Sequence, residues 1–215
     1  MGNYKLIIFD LDGTLLDTSK GIFNSVRYAE KQMGFKPVKT TDLRKFVGPP
    51  PKEMYASIYN VNEEKAQQAA QFHREYGRKY AIYEAEVYKD IPELLEKLQS
   101  HNCKLAVATL KSQKIAEEIL DHYGIKKYFD SIVGMNEEES LTKAQTIMKA
   151  MEEVGLFNKQ ETLMVGDSMY DFQGAIECGI SFIPALYGFG FRNSFQAENI
   201  LFCANEPIEI LRLLN

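Results

Sequence analysis

Five short runs along the chain are almost purely apolar: residues 5–9 (KLIIF), 104–108 (KLAVA), 131–134 (SIVG), 162–166 (TLMVG) and 180–186 (ISFIPAL). None alternates polar with apolar positions, so each predicts a strand covered on both faces rather than one with a wet side. Between most of them apolar positions recur at helical spacing, over 91–101, 112–123, 142–155 and 170–177. Strands alternating with helices predict an α/β fold with a doubly wound, parallel, Rossmann-like sheet. Gly124 and Gly155 stand where two of these helices should stop. Pro184 has no N–H to give a ladder and places the fifth strand near an edge. Residues 206–214 predict a short amphipathic helix opening at Glu206-Pro207.

The rhythm breaks after the first strand. Residues 18–34, 41–47, 51–59 and 63–83 all read as helices, with no convincing strand among them. This predicts an all-helical cap over 17–86, inserted into a core made of 1–16 and 87–215, with hinges near 15–18 and 84–90. The aromatic residues of the insertion, such as Tyr55, Tyr59, Phe72 and Tyr76, are expected to form its own small core.

Composition narrows the function. A chain of 215 residues buries roughly 70% of its unfolded surface and needs no staples. Its 30 acidic residues against 25 Lys and Arg give a net charge of −5, with no basic run. A nucleic-acid polymer is therefore not the expected partner. Cys103, Cys178 and Cys203 are odd in number and form no CxxC, which fits a reducing, cytoplasmic setting better than a disulfide framework or a zinc site. The first apolar run is too short for a signal peptide, and no stretch approaches the ~18–20 apolar residues of a membrane helix. Met1-Gly2 does not read as a myristoylation site, because Leu6 stands where Ser or Thr is required.

The candidate chemistry follows the strands. LIIF runs into Asp10-Leu11-Asp12-Gly13-Thr14, LAVA into Thr109, and LMVG into Asp167-Ser168 with Asp171 four residues beyond Asp167. In an open parallel sheet these ends emerge on one edge, where such folds bind ligands. Lys143 comes from the loop before the 142–155 helix. Clustered carboxylates need a cation, and an oxygen-only set without His or Cys points to Mg²⁺. A hydroxyl, strand-end N–H groups and a lysine suit a phosphoryl group. Asp10 is placed to attack phosphorus, and Asp12 to protonate the leaving oxygen and later deprotonate water.

Other matches carry less. Ser140-Leu141-Thr142-Lys143 spells SxxK without the partner motifs of acyl-serine enzymes. Gly188-Phe189-Gly190 lacks the third glycine of a dinucleotide fingerprint and reads as a flexible turn beside the active edge. His73, His101 and His122 fall on separate helices and read as surface or packing residues.

Phe9-Asp10-Leu11-Asp12-Gly13-Thr14-Leu15 resembles the first motif of the haloacid-dehalogenase-like superfamily in its phosphatase form. Thr109 resembles the second motif, Lys143 the third, and Gly166-Asp167-Ser168-Met169-Tyr170-Asp171 the fourth. Val47-Gly48-Pro49-Pro50 and Tyr88-Lys89-Asp90-Ile91 look most like the phosphoglycolate-phosphatase branch. The resemblance implies a phosphorylated nucleophile and Mg²⁺ ligand at Asp10, and an acid/base at Asp12 whose main-chain carbonyl also meets the metal. It implies a further ligand at Asp167, with Asp171 steadying the water shell. Thr109, the N–H of Leu110 and Lys143 would hold phosphate. Leu110 departs from the small polar residue of many relatives, and Lys143 is not followed by their proline. The expected partner is a small phosphorylated metabolite, with no membrane involved, and the chain a monomer or homodimer. A sugar phosphomutase, a pyrophosphatase and a catalytically idle phosphate-binding regulator are the alternatives.

Overall fold

The computed structural model describes residues 4–136, 140–191 and 197–214; the Met1-Gly2 terminus lies outside them. Five strands form one parallel sheet: β1 (Leu6–Phe9), β4 (Lys104–Ser112), β5 (Ser131–Met135), β6 (Thr162–Gly166) and β7 (Ser181–Pro184), in the order β5-β4-β1-β6-β7. Each expected strand is present. The sheet winds outward from β1 in both directions, so the strand order reverses beside its carboxyl end. Register pairs Phe9 with Val107 of β4 and with Val165 of β6.

The apolar runs are continuous because both faces are covered. Ile7 and Phe9 point into a layer with Leu94 and Leu95 of α5 (Ile91–Ser100), Ile119 of α6 (Gln113–His122) and Ile210. Leu6 and Ile8 point the other way, toward Ile147 of α7 (Lys143–Val154) and Phe172 of α8 (Met169–Cys178). Successive strand residues face opposite sides, so each layer takes every second one. Gly155 closes α7 in the left-handed conformation, as expected. The tail over Pro207–Leu214 is a 3₁₀ helix rather than an α-helix, although Ile210 and Leu213 still turn inward. Pro184 sits on the sheet's edge strand, where its missing N–H costs no ladder bond.

The segment between β1 and α5 is helical apart from one ribbon. Helices α1 (Ser19–Met33), α2 (Thr40–Leu43), α3 (Pro51–Tyr59) and α4 (Glu63–Lys79) pack around Val26, Phe46, Tyr55, Ala69 and Ala70. The runs expected over 41–47 and 63–83 each finish as a 3₁₀ turn, Arg44–Phe46 and Ala81–Tyr83. Where the pattern suggested hinges, β2 (Leu16–Asp17) pairs antiparallel with β3 (Glu86–Val87). Two residues per strand are too few to leave a periodic signal, and that ribbon escapes a sequence reading. None of the helices in the described residues is long and apolar enough to cross a membrane.

Candidate active site

The sheet brings the predicted residues to one edge. Asp10 follows β1, and its N–H donates to Val165 O at 2.9 Å. Asp167 follows β6, while Asp171 lies one turn into α8. All three carboxylates are buried, and each brings one oxygen within 4.8 Å of the others. Lys143 is the first residue of α7. A cation is ill-placed at a helix N-terminus on electrostatic grounds. Here it is buried and donates to Asp10 Oδ1 at 2.5 Å and Asp171 Oδ1 at 2.6 Å. A solvated helix-start lysine is thus not what the structure shows.

Local chemistry fixes each carboxylate. Ser168 caps α8 and forms a reciprocal capping box with Asp171. Asp171 Oδ2 accepts from Ser168 N and Oγ at 2.9 and 2.6 Å, while Oδ1 takes Lys143. Asp167 Oδ2 accepts from Phe189 N at 2.7 Å and Gly190 N at 3.2 Å. The Gly188-Phe189-Gly190 turn is therefore built against the carboxylate: a Cβ on Gly188 would stand 2.3 Å from that of Asp167. Gly13 turns the first loop at φ 81°, and its own added Cβ would stand 2.3 Å from Asp167 Oδ2.

Asp12 points to a different set. Its Oδ2 pairs with Lys111 Nζ at 3.0 Å, and its Oδ1 is buried without a partner. Its carboxylate is not in the cluster of three. Thr109 is buried, and its hydroxyl accepts the N–H of Lys111 at 3.2 Å. Strand β4 runs four residues beyond the expected end, and its pairing with β5 shifts register between Ala108 and Ser112. Such an irregularity re-aims side chains next to a site. Leu110, on the same stretch, is half-buried.

A family model described as haloacid dehalogenase-like hydrolase matches residues 7–185. The chain belongs to that family. A 5′-nucleotidase of Pseudomonas aeruginosa is 34% identical over 195 residues, 91% of this chain and 88% of the relative. A phosphoglycolate phosphatase of Aquifex aeolicus is 27% identical over 212 residues, 98% of this chain and 97% of the relative. Among solved structures, a predicted phosphatase from Clostridium acetobutylicum is 34% identical with a TM-score of 0.88, covering 98% of each chain. The haloacid dehalogenase-like hydrolase described here is a phosphatase.

The electrostatics of the three-aspartate cluster suit a bound cation. Burial pushes the Asp10 carboxyl up to about 7; Lys143 opposes this, and the Asp171 and Asp12 charges add to it. Burial, then Asp171 and Asp10, hold Asp167 well above the usual carboxylate range. Burial works against the charged form of Lys143, but Asp10 and Asp171 outweigh it and keep the ammonium protonated. Of the three buried carboxylates, Asp10 and Asp171 share one ammonium and Asp167 has none; the cluster is short of positive charge, which fits a divalent cation held by oxygen donors.

Two features of the site escape a sequence reading. Lys111 is one lysine among many in the chain; it lies on the irregular stretch of β4 and pairs with Asp12 there. The two N–H donors at Phe189 and Gly190 had a signal, the Gly-x-Gly beside a strand, but nothing to tie it to Asp167. His73, read as surface or packing, is buried, with its Nδ1 3.2 Å from the Tyr55 hydroxyl, and it lines the same cavity as Asp12.

Proposed function

We propose that this phosphatase hydrolyses a small phosphate monoester with Mg²⁺, through an aspartyl-phosphate formed on Asp10. The observation that carries the reading is the arrangement at the sheet edge. The nucleophile oxygen is held by a buried lysine beside two further carboxylates, while the second aspartate stands apart with one oxygen unpartnered.

Asp10, Asp167 and the main-chain carbonyl of Asp12 would hold the cation, with Asp171 ordering its waters and fixing Lys143. When bound, Mg²⁺ neutralises charge on the phosphoryl oxygens and keeps Asp10 ionised at neutral pH. Lys143 orients Asp10 and pairs with a phosphoryl oxygen. Thr109 and the N–H of Leu110 take another, where charge grows in the transition state. Asp10 attacks phosphorus as the P–O ester bond breaks, and Asp12 gives its proton to the departing oxygen. Asp12 then takes a proton from the water that attacks the aspartyl-phosphate. The proton it lost returns, and Asp10 keeps both of its oxygens. Residues 17–86 act as a cap that sheds bulk water from the first step and admits one molecule for the second.

The test is phosphate release by purified protein over some dozens of phosphorylated metabolites, with Mg²⁺ and with chelator. Release from a small monoester that stops on chelation and returns with Mg²⁺ supports the reading. Full rates in metal-free buffer contradict it.

A further inference from the structure

Phe189 follows the last strand of the sheet, yet it touches the helical block. The buried cluster of that block runs from Ile22 to Ala70, and of the described residues packed against it Phe189 alone comes from outside 17–86. The same residue gives its N–H to Asp167 Oδ2 at 2.7 Å, and Gly190 gives a second at 3.2 Å. Its ring also covers the first loop, because a Cβ on Gly13 would stand 2.8 Å from Phe189 Cδ2. One half-buried residue thus meets a carboxylate of the cluster, the turn at Gly13 and the core of the helical block.

The turn that carries it is not free to slide. A Cβ on Gly188 would stand 2.3 Å from Asp167 Cβ and 2.4 Å from Gly13 O, and one on Gly190 would stand 2.3 Å from Asp167 O. No side chain fits on either flank, so the turn, Asp167 and Gly13 form one packed unit. The Phe189 ring is the side chain which that unit sends to the helical block. A packed apolar ring holds its partner by the water it excludes, and the hold is lost if the block lifts. A second contact joins the same strand end to the block. Tyr170, between the capping Ser168 and Asp171, donates its hydroxyl to Glu53 Oε2 of α3 at 3.2 Å. The 188–190 turn fixes Asp167 and the first turn of α8 fixes Asp171, and each extends an aromatic side chain to the helical block.

We propose that Phe189 is a positioning residue that seats the helical block on the cation site, so that seating and Mg²⁺ binding favour each other. The proposal rests on the Mg²⁺ reading above and adds a coupling between the block and the ion. With a cation on it, Asp167 is held in one orientation, and so are the N–H donors of the turn. The fixed turn then presents the ring to the block. In the other direction, a seated block holds the ring, the turn and Asp167 ready for the cation. By linkage the two effects are equal in size.

Two measurements without substrate read the coupling. Calorimetry gives the Mg²⁺ affinity. Hydrogen exchange followed by mass spectrometry gives the opening of the amides over 44–54, a stretch whose Phe46 and Gly48 line a cavity shared with Asp12. In wild type, saturating Mg²⁺ should slow exchange there by about fivefold or more. Phe189→Ala keeps the N–H donors and both glycines. It should weaken Mg²⁺ binding by the same factor and leave exchange over 44–54 indifferent to Mg²⁺. Phe189→Leu keeps apolar bulk and should recover part of both. A residue that only packs would speed exchange equally with and without Mg²⁺ and leave the affinity alone. That result overturns the proposal, and so does wild-type exchange that Mg²⁺ does not slow, which needs no variant to fold. No Mg²⁺ binding to wild type contradicts the Mg²⁺ reading and the proposal together, whereas binding without slowed exchange contradicts the coupling alone.

Discussion

Lys143→Met puts the charge balance of the site to a quantitative test. The substitution keeps an unbranched side chain of similar length but removes the one ammonium that two buried carboxylates share, at 2.5 and 2.6 Å. Breaking a buried pair by removing one partner costs about 3–5 kcal/mol, because the remaining charge is left uncompensated. For a chain of this size each kcal/mol shifts the midpoint by about 2–4 °C, so the loss is about 6–20 °C when the carboxylates are ionised. The pH dependence carries the sharper test. Asp10 already sits at about 7, from burial first, and without Lys143 it loses its largest lowering influence and rises further. A carboxyl whose folded value lies above its unfolded one contributes stability below the unfolded value and loses it as pH rises through the folded value. The deficit of the variant should therefore be smaller at pH 5 and grow as pH rises past 7, so that it is larger at pH 8. Thermal unfolding followed by circular dichroism, in chelator, reads both. Mg²⁺ at pH 8 should return part of the loss by supplying positive charge. A deficit equal at the two pH values, or under about 1 °C at pH 8, would refute the reasoning.

Other outcomes follow from the same geometry. Asp10→Asn should abolish turnover while the fold persists, since an amide is no nucleophile and the residue lies past the end of β1; phosphate release near wild-type rates would remove the covalent route. Gly188→Ala drives a Cβ into Asp167 and should weaken apparent Mg²⁺ affinity by about 10- to 100-fold, read from a metal titration of activity; an unchanged titration would show that the turn does not set Asp167. Incubation with β-glucose 1-phosphate should give inorganic phosphate, if anything. Asp17-Thr18-Ser19-Lys20 lacks the histidine that the mutase branch it otherwise resembles carries near its first cap helix, and His73 already meets the Tyr55 hydroxyl. Accumulating glucose 6-phosphate would point to a mutase.

Much of this was legible because its signals are local. A four-residue apolar run ending in DxDGT is a strand delivering carboxylates, and three such strand ends in a parallel sheet must share an edge. The helical insertion showed as a change of period. What stayed hidden was set by tertiary contact. The β2–β3 ribbon is too short for a period. The salt bridge from Lys111 to Asp12 forms on an irregular stretch of β4 that a sequence of nine residues does not announce. Lys143 is expected at the phosphate, but its pairing with Asp10 and Asp171 is not legible, because a helix-start lysine reads the same whether it meets solvent or two aspartates. The 3₁₀ form of the tail carries the amphipathic pattern of an α-helix, since Ile210 and Leu213 satisfy either spacing.

The account stands on the division of labour between Asp10 and Asp12, and one measurement reaches it directly. An aryl phosphate has a leaving group that needs no proton, so Asp12→Asn should still transfer its phosphoryl group to Asp10 but fail to activate the water that removes it. Rapid mixing of Asp12→Asn with 4-nitrophenyl phosphate and Mg²⁺ should give a burst of nitrophenolate approaching one per chain. Acid quenching and mass spectrometry should then find the phosphoryl group on the peptide that carries Asp10. Slow release with no burst, or a phosphoryl group on any other residue, would contradict the account.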